Sequence, residues 1–165
     1  MEYLLTALQQ FKDDFEKNQP MWRTMPEFCA KQPRYERMGL RDLCQHVHAL
    51  YAKYDVARLS TDVLERSHAG HEAQRCVCHI AHRTTQRVPI DELEGRITTS
   101  LVTPYPPGIP LLIPGEVFNK KIVDYLKFNR AFARECPGFE TDIHGLVQEE
   151  SEDGVMCYFA DCVGQ

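Results

Sequence analysis

Apolar residues recur at three- and four-residue spacing through the first third of the chain and alternate with polar ones only towards its end. Leu4, Leu8, Phe11 and Phe15 form one stripe while Lys12, Asp13, Asp14, Glu16 and Lys17 fill the other face. That pattern predicts a helix over residues 2–18, ended by Asn18-Gln19-Pro20. The stripe needs a packing partner. If the chain supplies none, residues 1–20 are a helix belonging to a preceding domain and residues 21–165 form the domain proper. Thr24-Met25-Pro26-Glu27 has the spacing of a capping box, predicting a short helix through Phe28 and Ala30 before Pro33. After Gly39, the residues Leu40, Leu43, Cys44, Val47, Leu50, Tyr51 and Tyr54 keep helical register without a miss, which predicts a core helix. Val56 to Leu64 continues helically.

The second half changes period. Residues 83–89 are polar, and Ile90 to Gly95 reads as a helical turn closed by glycine. Arg96 to Val102 is rich in β-formers, with Ile97, Thr99 and Leu101 expected on one face. Asn119 is placed to cap a helix running to about Glu135 through Ile122, Tyr125, Leu126, Phe132 and Ala133, and Cys136-Pro137-Gly138 stops it. Two strands follow, at residues 142–148 and 155–161, joined by the charged turn 149–154 that ends in Asp-Gly. The expected class is α+β, with a helical N-terminal half followed by a small sheet and one further helix.

Between the β-rich segment and the last helix lies Pro104-Tyr105-Pro106-Pro107-Gly108-Ile109-Pro110-Leu111-Leu112-Ile113-Pro114-Gly115-Glu116. Proline fixes φ near −65° and removes a backbone donor, so the first half of this run is neither helix nor central strand. A stiff loop results, presenting an aromatic, Tyr105, and a carboxylate, Glu116. It reads either as the wall of a site or interface, or as a structural strand with proline-bounded ends. Asp142 and His144 flank Ile143 at strand spacing, so both are expected on one face with Ile143 on the core side. A domain-interface or solvent-facing pair fits that placement.

Composition narrows the function classes. With 165 residues, 43% of them hydrophobic, the chain can build one real core. A net charge of −5 with scattered Lys and Arg gives no basic surface, which argues against nucleic acid as a partner. There is no apolar run of membrane-spanning length and the first residues lack the pattern of a signal peptide, so a cytoplasmic location with no membrane partner is expected. Seven cysteines, an odd number, are then read as reduced thiols. Residues 67–82 concentrate His68, His71, Cys76, Cys78, His79 and His82, residue types that bind zinc. Cys76-Val77-Cys78 has one intervening residue where structural zinc sites have two to four, so no metal is expected.

The run PYPPGIPLLIPGE, with PGFETDIHG after the intervening helix and YERMGLRDLCQHVHALY upstream, resembles the carboxy-terminal domain of the bacterial ornithine/lysine/arginine decarboxylases. The resemblance extends from about Met21 to Val147. It implies an α+β domain beside the cofactor-binding core, near the active-site entrance, in pyridoxal-phosphate enzymes of the aspartate-aminotransferase fold type that assemble as dimers and larger rings. Under it, Tyr105, Glu116, Asp142 and His144 belong to a substrate entrance or domain interface. The family's cofactor lysine follows a histidine, and none of Lys12, Lys17, Lys31, Lys53, Lys120, Lys121 and Lys127 does. Pyridoxal phosphate is therefore expected on the parent enzyme's core and not on this chain, which alone is expected to be inactive. The expected partners are that core and further copies of the enzyme.

The resemblance lapses at residues 69–78, where relatives carry a Pro-Ala-Met-x-Pro-x-x-Ala-Phe pattern. A set of codons can be chosen for Ala69 to Cys78 that gives that pattern when read one base later, so a local frameshift is a candidate source of the foreign composition. Two other classes compete: a free-standing interaction module derived from the domain, and a metal-binding regulator built on residues 68–82.

Overall fold

In the computed structural model the described residues are 2–64, 84–105, 108–151 and 156–164. By internal contacts the chain divides into two units, Met1–Tyr54 and Asp55–Gln165.

In the first unit, the 2–18 periodicity yields helix α1, Glu2–Lys17. Exposed i,i+4 pairs reinforce its last turns, Lys12 to Glu16 at 3.7 Å and Lys17 to Asp13 at 3.0 Å. Asn18 leaves the helix at φ 49°, a conformation asparagine tolerates. Helices α2 (Met21–Thr24), α3 (Pro26–Lys31) and α4 (Leu40–Lys53) follow, with a 3₁₀ turn at Pro33–Tyr35. The expected Thr24–Glu27 capping box does not form. Thr24 is the last residue of α2, closed by Met25 N–H donating to the Met21 carbonyl at 2.7 Å, so its backbone is helical where an N-cap must not be.

The core of this unit is Met21, Cys29, Tyr35 and Leu43, with Phe28 stacked on Tyr35 at 5.5 Å. Helix α4 is less buried than its unbroken stripe predicts. Only Leu43 is fully buried, while Cys44 is exposed and Tyr51 is 43% exposed. The core residues Leu43 meets, Met21, Cys29 and Tyr35, lie on segments of three to six residues, too short to cover a 14-residue helix roughly 20 Å long.

Among the described residues the second unit holds α5 (Val56–Leu64), α6 (Lys120–Glu135) and five strands: β1 (Thr85–Pro89), β2 (Thr103–Tyr105), β3 (Asp142–His144), β4 (Leu146–Glu150) and β5 (Met156–Val163). Strands β1, β5 and β4 make an antiparallel sheet in that order, and β2 pairs with β3 as a separate antiparallel ribbon. The mixed architecture is the α+β class expected. The core joins sheet residues Val88, Ala160 and Cys162 to Phe118 and the α6 residues Ile122 and Leu126. Asn119 caps α6 as its sequence suggests, accepting from Ile122 N–H at 2.9 Å.

Three details depart from the sequence pattern. Strand β1 was hidden because Thr85, Gln86 and Arg87 are all exposed and only Val88 of its residues is buried. Polar pairing partly replaces apolar alternation there: Arg87 reaches Asp161 at 3.2 Å and Glu149 at 2.6 Å across the sheet. Residues 96–102 make only isolated bridges, and the buried side chains are Thr98 and Val102, not Ile97, Thr99 and Leu101. The cause is local. Thr98 Oγ1 donates to the Ser100 carbonyl and accepts from Ser100 N–H, so its hydroxyl is satisfied locally and Thr98 is buried in phase with Val102. The strand expected at 142–148 is two strands, divided at Gly145, whose φ is 90°.

Candidate functional site

Strands β2 and β3 hold three of the four sequence-selected residues. Their register sets Thr103 opposite His144, Pro104 opposite Ile143 and Tyr105 opposite Asp142. Pro104 is tolerated because a two-stranded ribbon leaves one side of every strand unpaired. Pro104 and Ile143 are buried, and on the alternate face Tyr105, Asp142 and His144 are exposed while Thr103 is buried. Tyr105 is 60% exposed, and the side chains of Asp142 and His144 are exposed to a similar degree. Tyr105 and His144 meet edge to face with ring centroids 6.5 Å apart. His144 Nε2 lies 3.6 Å from Asp142 Oδ2.

Glu116 is occupied differently. Its Oε2 accepts from Ile113 N–H at 2.9 Å, and its own N–H donates to the Ile113 carbonyl, closing the turn through Pro114 and Gly115. Gly115 is buried at φ 96°, a geometry that favours glycine. The carboxylate thus fixes the shape of the loop. Pro106 and Pro107 lie outside the described residues, but on either side of them Gly108 N–H returns to the Pro104 carbonyl at 2.9 Å. Exposed Leu101, Ile109, Ile113 and Phe139 lie on the segments that lead into and out of this ribbon.

One feature had no sequence signal and a second had only a conditional one. Thr103 Oγ1 is buried without a hydrogen-bond partner among the described residues, in the strand position opposite His144. The apolar face of α1 stands in solvent, with Leu4 63%, Leu8 57% and Phe11 56% exposed. A stripe in the sequence marks a face for burial but does not say whether the chain itself buries it.

The residues present do not fit pyridoxal phosphate. Lys12, Lys17 and Lys120 sit in exposed i,i+4 pairs, Lys127 faces Asp91 at 3.7 Å, and Lys53 lies over the Tyr54 ring. Lys31 is exposed and Lys121 half-buried on α6, so none is a desolvated amine set up as a nucleophile. The cysteine and histidine cluster at 68–82 lies outside the described residues. Among the described residues no three His, Cys, Asp or Glu side chains are grouped to hold a metal. Burial pushes the Cys162 thiol up to about 11, marking it as a core residue and not a nucleophile. No described helix is long and apolar enough to cross a membrane.

A sequence family described as Orn/Lys/Arg decarboxylase, C-terminal domain, matches residues 58–164. This chain belongs to that family. The decarboxylase domain is 38% identical to lysine decarboxylase LdcA of Pseudomonas aeruginosa over 97% of the chain, which amounts to 22% of that relative. It is 35% identical to the constitutive lysine decarboxylase of Escherichia coli over 92% of the chain, again 22% of the relative. The solved lysine decarboxylase A of Pseudomonas aeruginosa superposes with a TM-score of 0.86 at 35% identity, covering 98% of this chain and 22% of that one. The decarboxylase domain therefore spans about one fifth of the length of the relatives it matches, and it matches them through both of its units.

Proposed function

We propose that this chain serves as the carboxy-terminal domain of a basic-amino-acid decarboxylase acting on lysine, arginine or ornithine. The cofactor, pyridoxal phosphate, and the lysine that binds it belong to the remainder of that enzyme, where the bound cofactor supplies the electron sink for loss of carbon dioxide. The chain itself is a wall and an assembly surface. Tyr105, Asp142 and His144 line the substrate entrance or a domain interface, with Glu116 holding the proline loop that presents Tyr105. An exposed carboxylate at such a mouth favours approach of a cationic amino acid. The partners are the cofactor-binding core and further copies of the enzyme, in the cytoplasm.

The observation that carries this reading is the 97% coverage of the chain by a lysine decarboxylase of which it makes up only 22%. The absence of a suitable lysine from a domain so matched points to a division of labour between this domain and the core. The test is direct. The purified chain mixed with pyridoxal phosphate should develop no new absorbance band and release no carbon dioxide from lysine, arginine or ornithine. A stoichiometric band together with turnover would contradict the proposal.

A further inference from the structure

We infer that the solvent-facing side of α1 is an apolar surface on which the decarboxylase core docks, made of residues other than those of the Tyr105 ribbon. The inference deepens the function proposed above and rests on it. From Tyr3 to Phe11 the helix carries no charged residue, and every position is exposed. At about 100° per residue, Tyr3, Ala7, Phe11, Leu4, Leu8 and Leu5 cover roughly 200° of the helix circumference, twice the stripe of an ordinary surface helix. Charge returns at Lys12, still exposed, and partial burial one residue later, at Asp13 and Asp14.

The helix is also held in place. Asn18 Oδ1 accepts from the backbone N–H of Arg41 at 3.0 Å and of Asp42 at 3.3 Å, while its Nδ2 donates to Asp42 Oδ1 at 2.8 Å. One side chain thus caps α4 and fixes the end of α1 to it, so the apolar face projects in a set direction.

The width of the face selects the occupant. A second copy of α1 packed along a Leu4, Leu8, Phe11, Phe15 seam would cover a narrow stripe and leave Tyr3 and Leu5 wet. A face twice that wide needs a concave seat on a larger body. Relatives supply one, since the match takes in 97% of this chain and leaves some four fifths of their length unaccounted for.

The experiment is hydroxyl-radical footprinting of this chain alone, at low concentration, and of the full-length Pseudomonas aeruginosa lysine decarboxylase carrying this chain in place of its matching segment. In an active hybrid, oxidation of Leu8 and Phe11 should slow about tenfold relative to the isolated chain, as expected for side chains at an interface core. An active hybrid with unprotected Leu8 and Phe11 would overturn the docking surface and leave the proposed function standing. An inactive hybrid that fails to assemble would count against the proposed function itself, and the docking surface with it. Concentration-dependent protection in the isolated chain, matching that in the hybrid, would make a second copy the occupant and overturn the inference.

Discussion

Gly145 is the residue on which the second unit's strand geometry turns. At φ 90°, a Cβ there would lie 2.1 Å from the Leu101 carbonyl oxygen, so Gly145→Ala combines backbone strain with a clash against another segment's backbone. We expect it to lower unfolding free energy by about 2 kcal/mol or more, read from the urea midpoint; an unchanged midpoint would contradict the close approach. Asn18→Ala should cost about 1 kcal/mol through loss of the α4 cap. Arg130 holds Asp91 with two hydrogen bonds, at 2.6 and 3.0 Å, and these keep the Asp91 carboxyl below its ordinary range. A depressed carboxylate contributes stability above its unfolded value of 3.8 and loses it as pH falls through the folded value. Arg130→Gln should therefore destabilise the protein at neutral pH, by only about 0.5 kcal/mol because the pair is half exposed and screened. The difference from wild type should close in strong acid. A gap that persists there would assign the effect to packing.

At the scale of elements, periodicity carried most of the helices and little of the sheet. Helices α1, α4, α5 and α6 follow from apolar spacing because that spacing is what a helix face buries. Strand β1 was illegible because its outer residues trade apolar alternation for the Arg87 ion pairs, and residues 96–102 misled because Thr98 satisfies its hydroxyl locally and turns inward. Of the candidate site, the shared outward face of Asp142 and His144 was readable from strand period. Their meeting with Tyr105 was not, since register between segments nearly forty residues apart is set by tertiary pairing. Exposure, too, is absent from sequence, as α1 shows. Because its apolar face is in solvent, Leu8→Asp with Phe11→Asp should shift the isolated chain's stability by less than about 0.5 kcal/mol. A loss of several kcal/mol in thermal or urea unfolding would mean that the face is already buried within this chain.

For the whole molecule, two units and a match over 97% of the chain to a lysine decarboxylase of which it makes up 22% support the proposal that another body completes this domain. The foreign stretch at 69–78 fits that history if its reading frame slipped, and resequencing those codons should recover the Pro-Ala-Met pattern one base later. Codons that cannot yield it would return the cysteines and histidines to consideration as ligands. We propose that this chain does its work as the carboxy-terminal domain of a decarboxylase. The most direct test is carbon dioxide release from lysine by the Pseudomonas aeruginosa enzyme carrying this chain in place of its own matching segment. An assembled hybrid should show turnover restored above that of the enzyme lacking the segment. A folded hybrid no more active than the truncated enzyme would contradict the proposal.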